Sequence, residues 1–125
     1  GIYSNIKLYD DFAHHPTAIS FASESIKDQY KSEKVLGLVE LGSNTMSDGY
    51  HGAKLLDSVK SLDDVIWLDH KKVVNESSKI QVEKNVNDLI DAVKKIIFDY
   101  DIILLMTNKD SHKIIQPLIN YLEKK

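Results

Sequence analysis

Apolar residues occur along the chain either in short continuous runs or at the spacing of helices. Continuous runs at residues 35–39, 65–68 and 102–106 are typical of strands that are buried on both faces of a sheet. Residues 2–9 alternate loosely up to a polar turn and predict a first strand, and residues 80–82 predict a further short one.

Four other segments have apolar residues three or four positions apart, which predicts amphipathic helices. The first begins at Thr17, directly after a proline that suits a first helical turn, and the others cover residues 52–62, 86–97 and 114–122. Because strands and helices alternate, the pattern predicts an α/β fold. Its sheet is expected to be mostly parallel, with about five to six strands and helices on both faces.

Parallel sheets of this kind bind ligands at the carboxyl ends of their strands. The predicted strands end near Tyr9, Val39, Leu68 and Met106, so the loops after these four residues are the candidate ligand sites.

Composition narrows the class of protein. At 125 residues the chain has the length of one domain. The absence of cysteine excludes disulfides, thiolate metal ligands and a cysteine nucleophile. With 16 basic and 19 acidic residues the net charge is -3, which argues against a nucleic-acid partner. No apolar stretch reaches the length of a membrane span and no signal peptide is visible, so we expect a soluble cytoplasmic domain with no membrane partner.

The turn after the first predicted strand has the densest group of reactive side chains, namely Asp10, Asp11, Phe12, His14 and His15. Carboxylates accept hydrogen bonds from ribose hydroxyls or hold Mg²⁺, and imidazoles donate to phosphates or stack on bases. The turn also leads into a helix N-terminus, whose free N–H groups favour anions. A helix-capping acid beside solvated histidines explains the same residues, so the pattern alone leaves both interpretations open. Adjacent histidines are poorly placed to share one ion, and we expect no metal site at this pair.

Two further loops follow buried strands. Residues 43–46 offer hydroxyl and amide groups, and residues 107–111 include Lys109, which suits an anion. Ordinary turn chemistry explains the first loop equally well, and capping of the last helix by Asn108 or Asp110 explains the second. The sequence contains no Gly-x-x-x-x-Gly-Lys-Ser/Thr loop, no Gly-x-Gly-x-x-Gly and no nucleophile elbow. The chain alone should therefore not transfer phosphate.

Three segments, in the expected order, resemble the C-terminal domain of the Mur ligases, and the similarity extends from Leu8 to Leu122. The most specific segment is Asp10-Asp11-Phe12-Ala13-His14-His15-Pro16-Thr17. The other two are Ser43-Asn44-Thr45-Met46 and Met106-Thr107-Asn108. All three segments are similar to those of the branch of the family that joins recycled L-alanyl-γ-D-glutamyl-meso-diaminopimelate to UDP-N-acetylmuramate.

The resemblance implies that residues 1–125 are the C-terminal, Rossmann-like domain of a three-domain ligase, with a three-layer architecture. An N-terminal domain would hold the UDP-sugar, and a central domain would hold most of the ATP and Mg²⁺. The implied reaction forms an acyl phosphate on UDP-N-acetylmuramate, which the amine of the tripeptide then attacks. The other two domains and the two substrates would be the partners of this domain, which alone should be inactive.

The resemblance also implies roles for single residues. Asp11 would accept from the ATP ribose, and His14 would lie near the nucleotide phosphates or base. The side that receives the peptide would be lined by Phe12, His15, Ser43, Asn44, Thr45 and Asn108. Two differences from this branch affect the implied contacts. Leu41-Gly42 replaces Pro-Arg, which removes a cation suited to a substrate carboxylate. Lys109-Asp110 replaces a Gly-Gly pair after Asn108, where the resemblance would otherwise imply a backbone contact with an anion.

Other functions stay open from the sequence. The nearest is the family branch that adds L-alanine to UDP-N-acetylmuramate. A non-catalytic α/β module that binds a nucleotide or peptide is an alternative of another class. A receiver-like signalling domain would also have acids after its first strand and a lysine after its last, where Lys109 stands. However, Asp10-Asp11 leading into His-His-Pro is a poor match to such a phosphoacceptor pocket.

Overall fold

The computed structural model describes residues 2–13, 16–41, 57–69, 81–107 and 109–124. The strands in this part of the chain are β1 (Ile2–Tyr3), β2 (Ile6–Asp11), β3 (Val35–Leu41), β4 (Asp64–Asp69), β5 (Gln81–Glu83) and β6 (Ile102–Met106). The helices are α1 (Pro16–Gln29), α2 (Val86–Ile96) and α3 (His112–Glu123), and a short 3₁₀ turn, Ile97–Asp99, follows α2. None of the helices described is long and apolar enough to cross a membrane.

The described strands form one six-stranded sheet in the order β1-β2-β6-β3-β4-β5. Every pair is parallel except β1 with β2. This arrangement confirms the predicted α/β fold with its mostly parallel sheet. The central strand is β6, all five residues of which are buried, because strands and helices surround it on every side.

Two apolar clusters show that helices cover both faces of the sheet, which confirms the three-layer architecture. On one face, α2 and α3 pack through Leu89, Val93, Ile114 and Leu118 onto alternate residues of the strands. On the other face, α1 and residues 59–62 cover Val35, Val39, Trp67, Ile102, Leu104 and Met106. Successive side chains along each strand therefore contact the two helix layers in turn, α2 and α3 on one face and α1 on the other.

The N-terminal segment differs from the prediction of one strand over residues 2–9. Ser4 and Asn5 have positive φ angles of 51° and 67°, and they join β1 to β2 in a two-residue hairpin. Two consecutive left-handed residues form the turn whose twist matches antiparallel strands. The single-strand prediction was wrong because Ser-Asn is a weaker hairpin signal than Asn-Gly, and the apolar alternation continues across it.

The remaining elements lie within a few residues of their predicted bounds. The helix predicted from Thr17 begins at Pro16, and its inward residues include Ile19 and Ile26. The predicted loop over 42–49 and the first part of the helix predicted over 52–62 lie outside the described residues. In the described part of that helix only residues 57–58 are helical, whereas residues 59–62 form a turn and a bend, so the prediction placed the end of the helix four residues too late.

Candidate functional site

Three adjacent strands, β2, β6 and β3, end at the same edge of the sheet. A cleft of about 160 Å³ opens there between the end of β2 and the turn from β6 to α3. Its lining residues are Asp10, Asp11, Phe12, Thr107, Lys109 and Ser111. The cleft contains two of the predicted site residues, Asp11 and Phe12, and Lys109 lies on the opposite wall.

Asp11 is the last residue of β2, and its side chain shapes the turn that follows. Its Oδ1 accepts a hydrogen bond of 2.9 Å from the backbone N–H of Ala13. Its backbone carbonyl accepts from the N–H of Thr107 at 3.1 Å, which continues the pairing of β2 with β6. Asp11 therefore closes an Asx turn and fixes its own carboxylate at the edge of the cleft.

Phe12 and Ala13 point to opposite sides of this turn. Ala13 is buried in the apolar cluster under α1, whereas the side chain of Phe12 is 77% exposed. Because the buried Ala13 anchors the turn, the exposed ring of Phe12 is held where it could stack on a planar or apolar part of a ligand.

The opposite wall of the cleft is built by the turn between β6 and α3. The backbone N–H of Lys109 donates to Oγ1 of Thr107 at 3.0 Å, and Oδ1 of Asp110 accepts from the N–H of His112 at 3.0 Å. Asp110 thus satisfies a free N–H at the start of α3, as the capping interpretation predicted, although it lies one position before the N-cap residue Ser111. The hydroxyl of Ser111 donates to Oδ2 of Asp10 at 2.8 Å and joins the two walls.

Glu40, near the end of β3, lies behind this wall and is fully buried. Its Oε1 accepts from the hydroxyl of Thr107 at 2.7 Å, and its Oε2 accepts from Nζ of Lys113 at 2.9 Å. Glu40 was not among the predicted site residues. Its signal was a single acid directly after the continuous apolar run 35–39, at the carboxyl end of a strand predicted to be central.

The charged side chains among the cleft-lining residues are Asp10, Asp11 and Lys109. Tyr9 precedes them on β2 and faces Tyr30, with 2.6 Å between the two hydroxyl oxygens. The hydrogen bond with Tyr30, together with desolvation, raises the pKa of Tyr9, so this phenol stays neutral beside the acids.

Six predicted site residues, His14, His15, Ser43, Asn44, Thr45 and Asn108, lie outside the described residues. Their roles, and the ligand roles of Asp11 and Phe12, stay predictions. Within the described ranges, no group of three or more histidine, aspartate or glutamate side chains is arranged to hold a metal ion.

The fold and the cleft define an α/β domain with a cleft at the carboxyl edge of its sheet, next to the start of a helix, which is where sheets of this kind bind ligands. Residues 2–108 match the family model described as Mur ligase, glutamate ligase domain. The chain belongs to this family.

Individual relatives agree with this assignment. The chain is 31% identical to the UDP-N-acetylmuramate--L-alanyl-gamma-D-glutamyl-meso-2,6-diaminoheptandioate ligase of Escherichia coli, over 100% of the chain and 29% of the relative. The enzyme of the same name from Haemophilus influenzae is 28% identical, over 100% of the chain and 30% of the relative. The crystal structure of a murein peptide ligase from Psychrobacter arcticus superposes with a TM-score of 0.85 at 28% identity, covering 100% of this chain and 29% of that one. The chain thus spans less than a third of the length of these relatives.

Proposed function

We propose that this chain is the C-terminal domain of an ATP-dependent ligase that joins UDP-N-acetylmuramate to L-alanyl-γ-D-glutamyl-meso-diaminopimelate, in peptidoglycan recycling. The observation that carries the proposal is the alignment of the whole chain with two ligases named for this reaction. The TM-score of 0.85 to a murein peptide ligase supports the same assignment.

The reaction proceeds through an acyl phosphate. ATP phosphorylates the lactyl carboxylate of UDP-N-acetylmuramate, the peptide amine attacks the carbonyl carbon, and phosphate leaves. Mg²⁺ would supply charge neutralisation at the transferring phosphoryl group and, like ATP, would be held mainly by the central domain. The role of this domain is to close over the other two domains and to shield the acyl phosphate from water.

Within that closed site, Asp11 is proposed to accept from the ATP ribose, which its fixed position at the cleft edge favours. The exposed ring of Phe12 would contact the incoming peptide. His14 would lie near the nucleotide, and His15, Ser43, Asn44, Thr45 and Asn108 would complete the peptide side, as the family resemblance implies.

The proposal includes the domain organisation. The chain would follow an N-terminal UDP-sugar domain and a central phosphate-loop domain in one cytoplasmic protein, and it would be inactive without them. The upstream sequence tests this directly. A Gly-Lys-Thr/Ser phosphate loop before Gly1 in the gene is expected, and an upstream region without one would contradict the domain assignment.

The test of the reaction uses the full-length protein that contains this chain. ADP release is measured with ATP, Mg²⁺ and UDP-N-acetylmuramate, and with either the tripeptide or free L-alanine as the amine. We expect release with the tripeptide only. Release with L-alanine alone would instead indicate the L-alanine branch of the family.

The non-catalytic alternative is tested with the 125-residue chain. A stand-alone nucleotide- or peptide-binding module predicts measurable ATP or tripeptide affinity in calorimetry. The ligase proposal predicts very weak binding, because most ATP contacts would belong to the other domains.

A further inference from the structure

We propose that Glu40 is a positioning residue, which fixes the cleft wall formed by Thr107, Lys109 and Ser111 without touching the substrates itself. This inference rests on the proposed ligase function for its kinetic part. Glu40 is absent from the residues that line the cleft, whereas its partner Thr107 is among them.

The geometry forms a chain of hydrogen bonds from β3 to the cleft. The N–H of Lys109 donates to Oγ1 of Thr107 at 3.0 Å, and the Thr107 hydroxyl donates to Oε1 of Glu40 at 2.7 Å. Since the hydroxyl proton is committed to Glu40, the Thr107 oxygen presents its lone pairs to Lys109. One carboxylate thereby fixes both the rotamer of Thr107 and the path of the backbone at Lys109.

Lys113 adds a second point of attachment. It lies in the first turn of α3, and its Nζ is 2.9 Å from Oε2 of Glu40. Glu40 and Thr107 lie on the face of the sheet that α3 covers, because Glu40 is two positions after Leu38 and Thr107 is two positions after Leu105. The carboxylate thus holds the end of β6 and the start of α3 in one fixed relation, with the cleft wall between them.

The energetic cost of burying Glu40 indicates that its ion pair positions the cleft wall more than it stabilises the fold. The side chain of Glu40 is 0% exposed, and that of Lys113 is 35% exposed. Burying a carboxylate carries a desolvation cost that its ion pair barely offsets, and apolar replacements of such pairs are often at least as stable. We therefore explain the burial of Glu40 at the carboxyl edge of the sheet by its role in orienting the cleft wall.

The kinetic test uses the full-length protein with Thr107→Val, Thr107→Ser and Glu40→Gln. Because misplacing a site by about 1 Å lowers rates by roughly 100-fold, Thr107→Val and Glu40→Gln should lower kcat by about 10- to 100-fold. KM for UDP-N-acetylmuramate, which the N-terminal domain would hold, should stay unchanged. Thr107→Ser keeps the hydroxyl and should recover most of the loss.

The matched control is Asp63→Asn, which breaks the ion pair of Asp63 with Lys27, 2.6 Å between Oδ2 and Nζ, at the opposite end of the sheet. It should lower the unfolding temperature and leave kcat unchanged. Equal kcat in wild type, Glu40→Gln and Thr107→Val would overturn the proposal. If Glu40→Gln does not fold, the comparison of kcat between Thr107→Val and Thr107→Ser still tests the proposal.

A second readout does not depend on activity. Hydrogen exchange of the Lys109 amide in the full-length protein should accelerate about fivefold or more in Thr107→Val and Glu40→Gln, the equivalent of one lost hydrogen bond. Asp63→Asn should leave it unchanged. If wild type releases no ADP with either amine, the ligase function fails, while exchange still decides the role of Glu40. Unchanged exchange at Lys109 in both variants would overturn that role.

Discussion

Ser111 and Asp10 are joined by a hydrogen bond of 2.8 Å although 101 positions separate them in the sequence. Asp10 lies in β2 and Ser111 directly precedes α3, so the bond spans the mouth of the cleft. Ser111 occupies the N-cap position of α3 but makes no capping hydrogen bond with its side chain. Its hydroxyl therefore serves the contact with Asp10.

Replacement of Ser111 by alanine should lower the free energy of unfolding by about 0.5–1 kcal/mol, since the bond is exposed to solvent. Urea denaturation of the 125-residue chain measures this change. Ser20→Ala is the matched control, because among the described residues the Ser20 hydroxyl makes only a long exposed contact of 3.4 Å to Glu24 within α1. Alanine favours the helix there, so that variant should be neutral or slightly more stable. Equal losses in both variants would contradict the role given to Ser111.

Two substitutions of Asp11 separate its part in the turn from its proposed contact with ATP. Asp11→Ala removes the acceptor for Ala13 and the carboxylate together, and kcat/KM for ATP in the full-length enzyme should fall about 10- to 100-fold. Asp11→Asn keeps an acceptor for Ala13 and for a ribose hydroxyl, so its loss should be smaller, below about 10-fold.

Asp91, exposed on α2, provides the control, and Asp91→Ala should leave kcat/KM for ATP unchanged. Near-normal ATP kinetics in Asp11→Ala would show that this carboxylate only shapes the turn.

Sequence pattern alone predicted the α/β fold because its physical causes are local. Continuous apolar runs such as residues 102–106 have only one favourable environment, the interior of a sheet covered on both faces. Helix α2 was equally clear, since its apolar stripe and its N-cap, where Asn85 accepts from the N–H of Asp88, are both encoded within a few residues.

What the pattern missed depends on contacts between distant segments. Glu40 is 67 positions from Thr107 and 73 from Lys113, so no local spacing marks it as a buried, paired acid. The hairpin at Ser4 and Asn5 was missed for a different reason, because positive φ angles leave no trace in an apolar alternation. The family resemblance selected Asp11 and Phe12, and the fold places both in the cleft.

The ion pair of Asp63 with Lys27 gives the chain a pH-dependent contribution to stability. Burial alone would raise the pKa of Asp63, but hydrogen bonds from Lys27 and from the N–H of Val35, with the nearby lysine charges, lower the pKa below its ordinary value. A lowered folded-state pKa stabilises the fold above the unfolded pKa of about 3.9, and this contribution is lost as the pH falls through the folded-state value.

Asp63→Asn should therefore be less stable than wild type at pH 7, and the difference should shrink below about pH 4. Urea denaturation of both chains from pH 3 to pH 7 measures it. The exposed pair of Lys60 with Asp57, 3.7 Å apart, is the control, and Asp57→Asn should show little difference at any pH. A gap between wild type and Asp63→Asn that stays constant down to pH 3 would contradict the lowered pKa.

Two exposed phenylalanines allow a direct test of the peptide side of the cleft. Phe12 is 77% exposed beside Asp11, and Phe21 is 73% exposed on α1 and absent from the residues that line the cleft. Neither ring is buried enough for truncation to alanine to change the free energy of unfolding by more than about 0.5 kcal/mol.

If Phe12 contacts the tripeptide, Phe12→Ala in the full-length enzyme should raise KM for the tripeptide about two- to tenfold, the range of one aromatic contact. KM for UDP-N-acetylmuramate should not change, and Phe21→Ala should alter neither constant. A rise in KM that is equal for both variants would mean that Phe12 has no specific part in binding the peptide.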